Sequence, residues 1–202
     1  MKILKLVFIP LSLLVTLLIG YSCSCSSCSK EEQSVVPEEV LSKANNFIIS
    51  KTGQEFFNKY ITPDFAKTRY NPPYYEMAYR FYMPEKDYVV ATIKFITDST
   101  GNVLKDKDII GIPDYLQNPD ECNFTVDRDS AIKIAKENGL KEGIKDWDVG
   151  FIWNPQRQIY VWHVLSTLHE MKGDIGYRGN GQELIISPVT GEVLDMHDWK
   201  VN

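Results

Sequence analysis

The sequence is poor in the residues that carry chemistry. Only three histidines occur in 202 residues, at His163, His169 and His197. No two of them stand four apart, so a helical zinc pair has no local support. Cys122 is the only cysteine beyond residue 28, which excludes a disulfide framework in the body of the chain. No spacing places a histidine beside it, so a nucleophile–base pair is not indicated. Cys122 is read as a free thiol, half-buried or at the surface. The stretch "GNGQ" is too short to cradle a phosphate, and no strand–Gly-x-Gly-x-x-Gly–helix unit occurs. Lys and Arg number 22 against 27 Asp and Glu, with a net charge of −5 and no basic patch. That excludes nucleic acid as an expected partner. The acidic pairs are read as solvated. These absences leave no catalytic residue, no metal and no cofactor to assign.

The longest apolar run, "LVFIPLSLLVTLLIG", follows the positive "MKILK". Its length of roughly 15 residues makes a helix of about 22 Å, short of the ~30 Å hydrocarbon core. Residues 1–22 therefore read as a secretory signal peptide rather than an anchor helix. The next stretch is "SCSCSSCSKEE", with Cys23, Cys25 and Cys28. A cysteine just past such a run marks a bacterial lipoprotein, in which the thiol takes a diacylglycerol and becomes the mature N-terminus. Each of the three has serine before it, and none has an aliphatic residue at −3. Cys23 lies nearest the apolar run and is the first candidate, with Cys25 and Cys28 as alternatives. A soft-metal site on the C-x-C-x-x-C run would need ligands fixed by a fold, and the flanks here are serine, lysine and glutamate. "SKEE" resembles the lysine-plus-acidic sorting tag of surface-exposed lipoproteins in some Gram-negative bacteria. The expected address is the outer membrane, with membrane contact through lipid. Two or more acyl chains anchor stably where one does not. Cleavage would remove Lys2 and Lys5, leaving 20 basic against 27 acidic residues and a formal charge of −7. Residues 23–36 read as a flexible lipidated tether.

Beyond the tether, apolar residues at helical spacing predict a helix over 37–60, weakened at Gly53. "TPDFAKTRYNPP" reads as loop. "YYEMAYRFYM" and "YVVATIKFIT" alternate as strands, separated by "PEKD". "DSTG" is a turn, and "NVLKD" leaves it as another strand. "IIGIPDYLQNPDECNF" reads as a linker. Then the plan restarts. Asp127 is placed to cap a helix with Ala131, Ile134 and Ala135 on its apolar side, closed by Gly139. "WDVGFIW", "IYVWHVLSTL", "QELIIS" and "EVLDM" read as strands, with "HEMKGDIGYRGNG" as a glycine-rich loop.

The two halves align. "DSTGNVL" and "PVTGEVL" lie 90 residues apart, each after an apolar strand. "VLSKA" and "AIKIA" match with a one-residue slip. An internal duplication follows, with units over 37–112 and 113–202. The expected fold class is α+β, as two tandem units of one helix against an antiparallel sheet.

"SAIKIAKENGL", a tryptophan- and tyrosine-rich meander and "ELIISPVTGEVL" together resemble the PepSY domain, over roughly 125–198 and more weakly 37–106. That resemblance implies a cystatin-like unit of one helix on an antiparallel sheet. It implies binding or restraint of a partner, as in peptidase propeptides, and no catalytic residues. The family's usual aspartate before the turn is Pro188 here. A second resemblance, to NTF2-like immunity proteins, rests on the same helix, a "W-V" strand and the closing hairpin. It implies neutralisation of a toxin.

His163 shares a strand face with Ile159, Val161 and Leu165, the setting of a satisfied sheet histidine. Trp147, Trp153, Trp162 and Trp199 crowd the second unit. Most are expected in the core. Where a sheet face is uncovered, Trp147, Trp153 and Trp162 are the candidate binding surface. The expected function is that of a lipid-anchored, non-enzymatic envelope protein that binds or restrains a macromolecular partner, a peptidase being one. The alternative is an immunity protein.

Overall fold

A computed structural model describes residues 36–173 and 176–201. The expected signal peptide and Cys23, Cys25 and Cys28 lie outside those residues. The described chain has three α-helices and two four-stranded antiparallel sheets.

Helix α1 spans Glu38–Thr52 and α2 spans Gln54–Tyr60. The single helix expected over 37–60 is therefore broken. Gly53 breaks it with φ at +83°, a conformation costly for any other residue. Val40, Ala44 and Ile48, four apart, are the buried stripe of α1.

The expected loop at 62–73 contains two short strands, β1 (Ile61–Pro63) and β2 (Arg69–Asn71). Both pair with β3 (Tyr74–Met83), as two pieces of one interrupted edge strand. Thr68 bridges the gap. Its hydroxyl accepts from the Ala78 N–H at 3.2 Å and donates to the Asp64 carbonyl at 3.0 Å. Sequence reasoning missed this pair because a side chain replaces the ladder between them. β3 then pairs with β4 (Lys86–Thr97), and Met77, Tyr79, Phe81, Val89, Ile93 and Phe95 face α1 and α2 in the first core.

"NVLKD" is not a full strand. Val103 bridges to Thr97, and Ile110 bridges to Lys94. Nor is the segment after it a free linker. Ile112, Tyr115 and Phe124 are buried in the first core, and Pro119–Cys122 forms a 3₁₀ turn. Tyr160, from the second sheet, donates to the Gly111 carbonyl at 3.0 Å.

Helix α3 is Arg128–Glu137, capped as expected. The Asp127 carboxylate accepts from the Ser130 N–H at 2.8 Å, and that bond holds its pKa below the usual range. The second sheet runs in order β5 (Asp148–Asn154), β6 (Ile159–Gly173), β7 (Gly176–Ile186) and β8 (Val193–Val201). The expected glycine-rich loop at 169–181 is instead a long β6–β7 ribbon. Two of its glycines, Gly179 and Gly181, serve close approach. A Cβ on Gly181 would lie 1.8 Å from the Ser166 carbonyl oxygen and 2.7 Å from Trp199 Nε1.

The second core holds Val126, Ala131, Ala135, Trp162, Val164, Leu184 and Ile186. Tyr88 and Phe151, partly buried, pack against both cores and join them.

Both matched turns reverse the chain, the second between β7 and β8, the first between β4 and the isolated bridge at Val103 rather than a full strand. Asp98 N–H donates to the Asn102 carbonyl at 2.9 Å, and Ser187 N–H to the Glu192 carbonyl at 2.8 Å. The second loop is thus one residue longer. Gly101 and Gly191 both have positive φ, +89° and +76°. A Cβ on Gly101 would press on Val40 of α1, and one on Gly191 would meet Ile134 of α3. Asp98 holds its turn through the N–H groups of Thr100 and Asn102, and the Thr100 hydroxyl, first among the causes, with those bonds draws its pKa down to about 2. Ser187, not Pro188, has the matching role, its hydroxyl accepting from the Val189 and Thr190 N–H groups.

Candidate functional site

The three tryptophans chosen from sequence do not share one surface. Trp162 is 2% exposed in the second core, and its indole N–H donates to the Val126 carbonyl at 2.8 Å. It is a structural residue and leaves the candidate surface. Trp153 is half-buried against Tyr160, with ring centroids 5.2 Å apart, and packs on the first core. Its indole nitrogen is buried without a hydrogen-bond partner among the described residues. Trp147 precedes β5, while Trp153 lies near its far end, about 20 Å away along an extended chain.

Trp147 alone lines an open groove, of about 580 Å³. One wall is α3, where Arg128, Ile132 and Lys136 recur every fourth residue on one side. The other wall is the segment 142–147. That segment is held firmly. Trp147 Nε1 donates to the Lys141 carbonyl at 3.0 Å, and the Ile144 N–H to the Thr167 carbonyl at 2.8 Å. The Ser166 hydroxyl also donates to the Lys141 carbonyl, at 2.7 Å. Lys145 pairs with Glu170 of the ribbon at 2.6 Å. The bond raises the Lys145 pKa and lowers that of Glu170. Ile144 is left 60% exposed beside the indole. Trp147, Ile132 and Ile144 are the apolar side chains of a mixed lining that also carries Arg128, Lys136, Glu142, Lys145 and Asp146, a surface that offers a protein partner apolar and charged contacts together. Sequence reasoning found Trp147 but missed Ile144 and the α3 wall. The signal available was an isoleucine in the polar run "KEGIKD".

The other reactive side chains lie elsewhere. The Cys122 thiol donates to the Pro119 carbonyl at 3.0 Å, and burial raises its pKa. All three histidines belong to the second sheet. His163 Nε2 lies 3.0 Å from one Glu183 oxygen and His197 Nε2 lies 2.5 Å from the other. His197 Nδ1 is 3.3 Å from Asp195. Glu183 of β7 thus lies between histidines of β6 and β8, and its contact with His163 is a hydrogen bond, as expected for a satisfied sheet histidine at 163. No group of three or more ligand side chains converges to hold a metal among the described residues. No helix among them is long and apolar enough to cross a membrane.

Comparison with protein-family models finds no match, and comparison with curated proteins finds none either.

Proposed function

We propose that this chain is a lipid-anchored protein of the bacterial cell envelope that binds a macromolecular partner through the Trp147 groove and performs no catalysis itself. The observation that carries the reading is the exposed Ile144 beside Trp147, on a segment fixed by hydrogen bonds at Lys141, Ile144 and Trp147 and by an ion pair at Lys145. An apolar side chain on a backbone already fixed leaves less of the chain to order on binding. The partner class is a protein, a peptidase being one, in keeping with the PepSY resemblance. The described unit is read as two PepSY-like repeats. The support is the pair of matched turns, each with a positive-φ glycine backed onto the helix of its own half. The anchor is a diacylated cysteine, Cys23 first, then Cys25 or Cys28.

One experiment tests both parts. The protein is isolated from its membrane with bound partners, as wild type, Trp147→Ala and Trp153→Ala. The mature N-terminal peptide is weighed in the same preparations. The expected result is a lipidated peptide beginning at one of the three cysteines, and a partner lost from Trp147→Ala but kept by Trp153→Ala. An unlipidated N-terminus lying before Cys23 refutes the anchor. Equal recovery of the partner by all three proteins refutes the groove.

A further inference from the structure

A second cleft, of about 320 Å³, shares no lining residue with the Trp147 groove. Three segments meet there: α1, the chain over 109–121, and the β5–β6 turn. Its apolar floor is Phe47, Ile109, Ile112 and Ile159. Four charged side chains line it, and they are not equivalent. Lys51 and Asp114 pair with each other at 2.6 Å and cancel. Glu121 and Arg157 remain. Among the described residues the Glu121 carboxylate has no hydrogen-bond partner, and burial, with Asp114 adding, raises its pKa. Arg157 donates through Nη2 to the Leu194 carbonyl at 2.9 Å, which leaves further guanidinium N–H groups open. The Arg157 backbone is set in advance. The Asn154 side chain accepts from the N–H groups of Gln156 and Arg157, at 3.1 and 3.0 Å.

We propose that this cleft binds a small zwitterion with an apolar side chain, an amino acid or a dipeptide. The ligand ammonium meets Glu121, its carboxylate meets Arg157, and its side chain covers the isoleucine floor. Each end gains a charge-assisted hydrogen bond, the stronger class of such bonds. An ammonium beside Glu121 also favours the charged carboxylate that burial disfavours. The volume admits a ligand of one or two residues and no larger folded segment. This site is independent of the Trp147 groove.

The test is calorimetry on the full chain in detergent. The probes are L-leucine, L-phenylalanine and the dipeptide Leu-Leu, with N-acetyl-leucinamide as the uncharged control. The expected result is saturable binding of at least one zwitterion, at least about tenfold weaker for Arg157→Ala and for Glu121→Gln, a loss of roughly 1.4 kcal/mol. The control should not bind. Both substituted side chains line an open cleft, and circular dichroism checks that each variant keeps its fold. Preference for leucine or for Leu-Leu distinguishes a free amino acid from a peptide ligand. The proposal is overturned by absence of binding at about 10 mM of every zwitterion. Equal binding of the uncharged control, or unchanged affinity in both variants, also overturns it.

Discussion

Trp162→Ala will cost about 3–5 kcal/mol of folding stability, the range for deleting a large aromatic side chain from a packed core. Trp162 is almost fully buried, packs tilted against Tyr88 at 5.4 Å and edge-on to Phe151 at 5.7 Å, and holds the Val126 carbonyl. Alanine would leave a cavity under α3 and a carbonyl without its donor. Tyr88 and Phe151 also touch the first core, so the loss will be felt across both sheets. Trp162→Phe separates the two effects. It fills most of the space but leaves the carbonyl unpaired, for about 1–3 kcal/mol. Urea unfolding of the three proteins measures this. A cost below about 1 kcal/mol for Trp162→Ala would return Trp162 to the surface, where single changes have small effects.

Gly181→Ala will be comparably severe, although it adds one methyl group. The added Cβ would sit 1.8 Å from the Ser166 carbonyl oxygen, a backbone atom that cannot step aside alone. It would also displace Trp199, whose indole N–H donates to that same carbonyl at 3.1 Å. The β6–β7 ladder must open, or Trp199 must leave. Overpacking of this kind costs about 1–3 kcal/mol and occasionally more, and the lost bond adds about 1 kcal/mol. Gly173→Ala is the control, since nothing lies within 4 Å of its Cβ position. Faster amide exchange over 166–168 and 180–182 in Gly181→Ala, with Gly173→Ala near wild type, is the expected pattern. Equal stability of the two variants would contradict the close approach at Gly181.

Strict alternation and end signals were legible in the sequence. "YYEMAYRFYM" puts Tyr75, Met77, Tyr79, Phe81 and Met83 on one buried face, and it is β3 over the same ten residues. Asp127 and Gly139 bracket α3 because capping is a local interaction, decided within a few residues. What failed depended on distant partners. The ribbon over 169–181 reads as loop because glycine is usually a breaker. Here Trp199, eighteen residues further on, lies against Gly181. The paired strands β1 and β2 are hidden because Thr68, between them, completes the edge against Ala78. The candidate site was half legible for the same reason. A tryptophan before a strand announces apolar surface, but which tryptophan is covered depends on α3. That helix takes Trp162 into the core and leaves Trp147 partly buried at the core's edge, where it lines the groove.

The groove reading is tested most directly by a photo-crosslinking residue placed at Ile144 in the full chain, irradiated in living cells. Ile144 is exposed, so the substitution leaves the packing intact. The account predicts a discrete adduct with a protein partner, lost when Trp147→Ala is added and retained when the crosslinker is accompanied by Trp153→Ala. No adduct at position 144, or one that Trp147→Ala leaves unchanged, would contradict it.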